Sequence, residues 1–230
     1  MINFDRLIPA SIIDNFFDNP DEIRNYALTL EFNSPKGLYP GYRSEQIKII
    51  NPTLYNEINS RILSLFFNQY KDALDISVES QFQSIPKKFE EGWVHQDIDL
   101  NNRNIAGVIY LTPNPVLDCG TSIYRQISEP NYADLKLRNE YYSNGSVDDI
   151  EKYKEGRARY NSNFEKTLDV KNVYNRLLIY DTSEFHKESG FFGSCKEDSR
   201  LTIVFFMTVT PMGMSSFPGT RVRNAVIQLR

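Results

Sequence analysis

From Ile76 to Val209 the sequence is divided into short segments rich in β-branched and aromatic residues, and this pattern constrains the fold more than any other feature of the chain. Turn residues such as Pro113 and Gly120 separate the segments, as is typical of antiparallel strands with short connections. The sequence therefore predicts a mostly β core. The predicted strands are Gln81–Gln83, Trp93–Asp97, Ile105–Thr112, Thr121–Arg125, Leu177–Tyr180 and Leu201–Val209.

A short strand and two helices are predicted before this core. The first helix opens at Asp18-Asn19-Pro20, where Asp18 or Asn19 can cap it and Pro20 suits its first turn. The second runs from Pro52 to about Tyr70, with apolar residues at helical spacing. We expect both helices to cover the core through one apolar face each. The residues on these faces are Ile23, Tyr26, Ala27 and Leu30, and then Leu54, Ile58, Ile62, Leu63 and Phe66.

A chain of 230 residues can form one large domain or two small ones, and we expect one. In this division, residues 1–75 are a helical support, 76–210 are the β core and 211–230 are a C-terminal tail. An insertion at about 126–171 is polar, rich in tyrosine and too long for a plain hairpin loop, so we expect short helices within it. A solvated insertion, a lid or substrate wall, and an oligomer contact all stay open as its role.

Charge and cysteine content exclude several classes of protein. The chain has 26 Lys and Arg against 30 Asp and Glu, a net charge of −4, which argues against a nucleic-acid partner. No apolar run of about 18 residues occurs, and Asp5, Arg6 and Asp14 interrupt what would be the apolar part of a signal peptide. Cys119 and Cys195 are expected to be free thiols. We therefore expect a cytoplasmic protein with no membrane partner.

Only two histidines are present, His95 and His186, and this excludes a three-histidine zinc site within one chain. If Trp93–Asp97 is a strand, His95 and Asp97 share a face because successive side chains alternate. The two can share one cation. A third ligand would complete the facial triad of two histidines and one carboxylate that binds non-haem Fe(II). His186, which follows the apolar strand Leu177–Tyr180, is the remaining histidine.

A His-x-Asp pair alone is more often a structural pair than a metal site, so the residues around it decide the interpretation. Arg200 and Thr202 lie two residues apart at the start of the last apolar strand and share its face. The guanidinium can bind a carboxylate bidentately, and the hydroxyl can add a hydrogen bond. Alternation along Ile105–Thr112 points Tyr110 into the same interior. These residues predict a carboxylate site beside the cation site.

Taken in order, these motifs resemble the 2-oxoglutarate/Fe(II)-dependent dioxygenases, specifically the prolyl-4-hydroxylase-like branch, over roughly residues 93–207. A weaker likeness to bacterial and phage members of that group lies in Phe17-x-Asn19-Pro20-x-x-x-Arg24 and in Pro40–Ser44. The motifs that carry the main likeness are His95-x-Asp97, Tyr110-Leu111, Gly120-Thr121, Arg176–Tyr180, His186 and Arg200.

The resemblance implies a double-stranded β-helix core, the jelly-roll or cupin-like fold, and an oxidoreductase that couples O₂ activation to the decarboxylation of 2-oxoglutarate. Hydroxylation of a protein side chain or of a small molecule is the reaction it implies. Asp97 disfavours a halogenase, since halogenating relatives carry a small residue in its place. The implied Fe(II) ligands are His95, Asp97 and His186. The implied 2-oxoglutarate ligands are Arg200, Tyr110 and Thr202.

The substrate, a small molecule or a peptide, is the least determined part of the assignment. Trp93, Tyr124 and Arg125 are candidates to line the substrate mouth. Packing for the two aromatic residues and a surface ion pair for Arg125 are equally open. Arg43 is expected to hold its own loop rather than to reach the site. An oligomer stays possible.

Two further functions stay open on the sequence. One is a metal-dependent enzyme of the cupin type with a different reaction, such as an isomerase, because a fold does not fix a function. The other is a non-catalytic jelly-roll binding module. A serine hydrolase is disfavoured because no Gly-x-Ser-x-Gly motif occurs.

Overall fold

The computed structural model describes residues 10–33, 39–66, 74–97, 105–144 and 147–211. The predicted C-terminal tail lies outside the described residues except for its first residue, and so does the predicted end of the second helix at Tyr70.

The described strands form two sheets in which every pair is antiparallel. They are β1 (Ala10–Ile13), β2 (Tyr42–Arg43), β3 (Leu74–Ile85), β4 (Ile105–Tyr110), β5 (Thr121–Gln126), β6 (Phe164–Val170), β7 (Leu177–Asp181), β8 (Phe185–Glu188) and β9 (Arg200–Pro211). One sheet has the order β1-β7-β4-β9-β3-β2, and the other has the order β6-β5-β8. The predicted jelly-roll core with flanking helices is confirmed.

Five α-helices lie in the described residues, and three of them precede the core. They are α1 (Pro20–Thr29), α2 (Ile47–Ile50), α3 (Pro52–Phe66), α4 (Leu135–Asn144) and α5 (Ile150–Asn161). Both predicted N-terminal helices are present as α1 and α3, whereas α2 was not predicted. Pro20 begins α1, but neither Asp18 nor Asn19 forms a side-chain cap there, since no side-chain capping bond is made at Asn19.

Alternation along the central strand β4 separates two layers of the core. Ile105 and Ile109 pack with the apolar faces of α1, α2 and α3. Ala106, Val108 and Tyr110 point the other way and pack against residues of the smaller sheet. Because β4 pairs with both β7 and β9, it is buried along its whole length. One face of the larger sheet is therefore covered by the N-terminal helices, and its other face packs against the smaller sheet.

We expect Phe205→Ala to destabilise the fold strongly. The Phe205 ring is fully buried in β9 within the core layer that faces the helices. Loss of a buried aromatic ring costs about 3–5 kcal/mol of unfolding free energy. Urea unfolding would measure this loss. Leu65→Ala is the control, because Leu65 is 52% exposed and its change should stay within about 0.5 kcal/mol.

Five of the six predicted strands are present with different ends, and one is not a strand. Gln81–Gln83 is only the middle of the twelve-residue strand β3, which pairs along its whole length with β9. Trp93–Asp97 is not a strand; within it a single isolated bridge joins His95 to His186. The predicted strand Ile105–Thr112 is two residues too long, because β4 ends at Tyr110.

The insertion contains the two helices α4 and α5 and ends in the strand β6. The short helices expected there are present, whereas β6 was not predicted. Four of its five tyrosines, Tyr141, Tyr142, Tyr153 and Tyr160, are buried in one cluster with Trp93, whereas Tyr132 is 54% exposed. None of the described helices is both long and apolar enough to cross a membrane.

Candidate metal and cosubstrate site

Three side chains from separate parts of the chain meet at one end of the core. The imidazole Nε2 of His186 lies 3.1 Å from Asp97 Oδ2, and Nε2 of His95 lies 3.7 Å from Asp97 Oδ1. The three ligand atoms all lie within 4.8 Å of one another. In the described part of the chain this is the group of His, Cys, Asp and Glu side chains with the spacing of a metal site.

Backbone hydrogen bonds bring the two histidines together although the segment before Asp97 is not a strand. The main-chain N–H of His95 donates to His186 O at 2.9 Å, and the N–H of His186 donates to His95 O at 2.8 Å. The N–H of Asp97 donates to Thr182 O at 3.0 Å. The segment therefore runs antiparallel to β8, and its two-residue spacing still places His95 and Asp97 on the same side.

Each imidazole is oriented by its second nitrogen. Nδ1 of His95 lies 2.7 Å from Trp93 O, and Nδ1 of His186 lies 2.9 Å from Glu184 O. A carbonyl oxygen only accepts, so each Nδ1 carries a proton and each Nε2 is the nitrogen that faces the site. This second set of contacts is the usual support of metal-binding histidines.

The charges of the three residues suit a cation. Burial lowers the pKa of His95, and the neighbouring His186 lowers it further, so the His95 ring is neutral at pH 7. Burial alone would raise the pKa of Asp97, but His186 outweighs it and lowers that pKa to about 2. Burial opposes protonation of His186, yet the Asp97 carboxylate raises its pKa. A divalent cation bound by these three groups would balance the charge of the Asp97 carboxylate in place of the proton on His186.

The segment that carries His95 is held from outside by α5. Oδ1 of Asn161 accepts from the main-chain N–H of Val94 at 3.0 Å, and its Nδ2 donates to Gly92 O at 3.2 Å. The indole Nε1 of Trp93 donates to the hydroxyl of Tyr153 at 3.0 Å. These contacts replace the sheet hydrogen bonds that the segment lacks.

Arg200, at the start of β9, lies inside the core with only 2% of its surface exposed. Its Nε donates to Cys119 O at 3.1 Å, and its Nη2 donates to Gly120 O at 3.4 Å and to Thr121 Oγ1 at 3.3 Å. None of these described partners is a carboxylate. A buried guanidinium bonded only to uncharged oxygens can bind an anion that enters the cavity.

The hydroxyls near Arg200 are arranged differently from the sequence-based prediction. Tyr110 is fully buried, and its hydroxyl donates to Thr121 Oγ1 at 2.8 Å. Thr202 shares the strand face of Arg200 but does not line the cavity, and its hydroxyl points to Gln83 O at 3.5 Å. Thr121 was part of the quoted motif Gly120-Thr121 without an assigned role. It lines the cavity beside Arg200.

A cavity of about 350 Å³ is lined both by His95, Asp97 and His186 and by Arg200. Trp93 lines it, as predicted for the substrate mouth, although its ring is 99% buried among the aromatic side chains of the insertion. Arg43 lines it as well, and its guanidinium also lies 3.7 Å from the ring centre of Tyr39, so it contacts its own loop and the cavity.

The other two substrate candidates lie elsewhere. Tyr124 packs with the aromatic cluster of the insertion and is not part of the cavity wall. Arg125 is exposed on the next position of β5 and forms an ion pair with Glu165 of β6. Both follow Ile123, where the pairing of β5 with β6 shifts register, and the sequence alone does not reveal that shift.

Comparison with protein families gives one match, to a family of unknown function, DUF6445, over residues 5–207. No curated protein matches the sequence significantly.

Three solved structures are similar to this chain in fold. HygX from Streptomyces hygroscopicus with nickel and 2-oxoglutarate bound has a TM-score of 0.54 at 13% identity, covering 93% of this chain and 86% of its own. The epimerase SnoN of nogalamycin biosynthesis, a non-haem α-ketoglutarate-dependent enzyme, has a TM-score of 0.53 at 12% identity, with 94% and 87% covered. A prolyl hydroxylase from Trichoplax adhaerens, in complex with a peptide fragment of hypoxia-inducible factor, has a TM-score of 0.52 at 13% identity, with 89% and 86% covered. The likeness establishes a shared fold.

Proposed function

The chain belongs to the DUF6445 family, and we propose that it is an Fe(II)- and 2-oxoglutarate-dependent oxygenase that hydroxylates its substrate. The observation that carries this proposal is the meeting of His95, Asp97 and His186 within 4.8 Å of one another, with both Nδ1 atoms bonded to carbonyl oxygens. Two imidazoles and one carboxylate on one side of a cation leave its other positions open, which is the donor set of non-haem Fe(II) oxygenases.

The fold of the solved structures supports the same proposal. HygX holds nickel and 2-oxoglutarate, and SnoN is an α-ketoglutarate-dependent enzyme. SnoN is an epimerase, so hydroxylation is the part of the proposal that rests on the ordered motifs and on the retained carboxylate of Asp97. The motifs also support the prolyl-4-hydroxylase-like branch.

In this proposal the protein positions the reactants and balances charge. His95, Asp97 and His186 would hold Fe(II), and Arg200 would bind the distal carboxylate of 2-oxoglutarate. When bound, iron and 2-oxoglutarate supply the activation of O₂: one oxygen atom enters succinate as CO₂ is lost, and the other enters a C–H bond of the substrate. Burial of Arg200 excludes water around its guanidinium and strengthens its bond to a carboxylate.

Thr121 takes the role that the sequence assigned to Thr202. Its Oγ1 accepts hydrogen bonds from Tyr110 and from Arg200. Both acceptor positions of this oxygen are therefore used, and its own proton is left to donate into the cavity. We infer that Thr121 donates to the carboxylate held by Arg200, while Tyr110 fixes the orientation of the hydroxyl.

We expect Thr121→Val to raise the concentration of 2-oxoglutarate needed for half-maximal turnover by about tenfold. The substitution keeps the shape of the side chain but removes a hydrogen bond to a charged group, worth about 1.5–3 kcal/mol. Titration of 2-oxoglutarate against O₂ uptake measures the effect. Thr167→Val is the control, because Thr167 lies on exposed β6 and its hydroxyl donates to Ile123 O. An unchanged titration for Thr121→Val would contradict its role.

Anaerobic addition of Fe(II) and 2-oxoglutarate tests the proposed function itself. The chelate of the two absorbs visible light, so the expected result is an absorption band that requires protein, iron and 2-oxoglutarate together. A cupin-type enzyme of another class or a binding module would give no such band. Admission of O₂ should then release succinate, and a protein that forms neither band nor succinate refutes the proposal.

A further inference from the structure

Besides Arg43, the cavity is lined by two opposite charges that the proposed metal and cosubstrate do not use. Glu188 and Arg138 both line the cavity. Glu188 follows His186 by two residues on β8, so the alternation of the strand turns both side chains to the same side. Arg138 comes from α4 in the insertion, which also supplies Tyr142 to the cavity lining.

The Glu188 carboxylate is placed against the segment that carries His95. A Cβ atom on Gly92 would lie 2.6 Å from Glu188 Oε2, so glycine at this position leaves room for the carboxylate. The side chain is half-buried, and within the described residues no hydrogen bond or ion pair joins it to another residue. Its neighbour Lys187 pairs with Glu91 instead, on the other side of the strand.

Arg138 is also half-buried, and its one hydrogen bond to a described side chain runs from Nε to Asn139 Oδ1 at 3.2 Å. Its terminal nitrogens form no ion pair with a described carboxylate, Glu188 included. Both charges act on the Tyr142 hydroxyl: burial raises the pKa of Tyr142, Glu188 raises it further, and Arg138 opposes this. Tyr142 lines the cavity too, so the carboxylate and the guanidinium both lie in the neighbourhood of one lining residue.

Half-buried charges that are not paired with each other are costly unless a ligand supplies the missing partners. A carboxylate binds an ammonium group, and a guanidinium binds a carboxylate bidentately. The cavity of about 350 Å³ is at the small end of ligand pockets, which span about 300–1,000 Å³, and it must also hold 2-oxoglutarate. A small molecule that carries both an ammonium group and a carboxylate matches the charges and the space.

On the basis of the proposed function, we propose that the substrate is a small zwitterion of the α-amino-acid type, with its ammonium group on Glu188 and its carboxylate on Arg138. Of the two substrate classes that the sequence left open, a small molecule and a protein side chain, this proposal selects the small molecule. A residue within a peptide has neither a free ammonium group nor a free carboxylate at its α-carbon, so it would leave both protein charges unpaired beside the site.

Anaerobic calorimetry on the protein loaded with Fe(II) and 2-oxoglutarate tests this inference. The ligands are the twenty proteinogenic L-amino acids, each also as its N-acetyl form and as its carboxamide. We expect at least one free amino acid to bind, and each of its two blocked forms to bind at least about tenfold more weakly, because each loses one charge-assisted contact.

Two variants assign the contacts. Glu188→Gln should reduce the preference for the free amino acid over its N-acetyl form by about tenfold. Arg138→Met should reduce the preference for the free amino acid over its carboxamide by about tenfold. The controls Lys136→Met and Glu140→Gln change exposed charges on the same helix, α4, and should keep both preferences.

The outcomes separate this inference from the proposed function. A missing chelate band overturns the proposed function and the zwitterion with it. A normal band overturns the zwitterion alone if no free amino acid binds, or if blocked forms bind as tightly as free ones. With a normal band, the zwitterion alone is also overturned if the two variants keep the wild-type preferences.

Discussion

Asp97→Ala is expected to reduce succinate formation by more than about a hundredfold. Asp97 is the only anion among the three proposed metal ligands, His95, Asp97 and His186. Its carboxylate oxygens lie 3.1 Å from Nε2 of His186 and 3.7 Å from Nε2 of His95. Without it, two neutral nitrogens remain to hold a divalent cation. Even loss of a residue that only supports a metal ligand costs about 10–100-fold in affinity or activity, so loss of the ligand itself should cost more. Succinate release by the purified variant measures the effect.

Asp118→Ala provides the matched control, because it also removes one carboxylate. Its side chain is 84% exposed and pairs with Lys171 away from the cavity, so this variant should keep its activity. Circular dichroism should show that both variants are folded. Succinate formation at the wild-type rate in folded Asp97→Ala would refute the triad.

Arg200→Met is expected to weaken binding of 2-oxoglutarate by at least about tenfold, because it removes the buried cation that would face the distal carboxylate. Methionine keeps much of the length and apolar volume of the side chain. The same substitution should change little for 2-oxovalerate, which has no distal carboxylate. The preference of the wild type for 2-oxoglutarate over 2-oxovalerate should therefore nearly disappear in the variant. Anaerobic titration of the chelate band measures both ligands.

Two further variants test whether the effect of Arg200→Met comes from the loss of this one positive charge. Arg200→Lys keeps the charge and should keep part of the preference. Arg125→Met removes an exposed guanidinium outside the cavity and should keep all of it. A wild-type preference in folded Arg200→Met would mean that another group recognises the distal carboxylate.

Periodicity in the sequence was enough to predict the buried parts of this fold. Leu54, Ile58 and Ile62 recur at helical spacing and are buried in α3. The β-branched run of β4 is buried along its whole length. Helix α3 covers the core with one face and therefore carries apolar residues at helical spacing, whereas β4 is covered on both faces and is a continuous apolar run.

Parts of the fold held by partners distant in sequence were not predicted. Most of β3 looks polar, and it extends to twelve residues only because β9 pairs with it along its length. The segment before Asp97 looks like a strand because of Trp93 and Val94. These residues are buried under the insertion rather than in a sheet, however, and Asn161 of α5 takes the place of a neighbouring strand.

The same distinction applies to the site. The meeting of His95, Asp97 and His186 could be predicted because two-residue spacing and the scarcity of histidine restrict the choices. Thr121 could not be separated from Thr202 on sequence, since both are threonines at strand positions near Arg200. Which hydroxyl faces the cavity depends on side-chain orientation: Thr202 turns to the Gln83 carbonyl, and Thr121 accepts from Tyr110.

The anchoring of Gly92, Trp93 and Val94 by α5 makes the position of His95 depend on the insertion at residues 126–171. Exchange of residues 126–171 for a shorter loop would remove Tyr153 and Asn161, and the support of one imidazole with them. Grafting that region to change what this protein accepts would therefore also disturb His95, one of the proposed metal ligands, unless these anchoring contacts are kept.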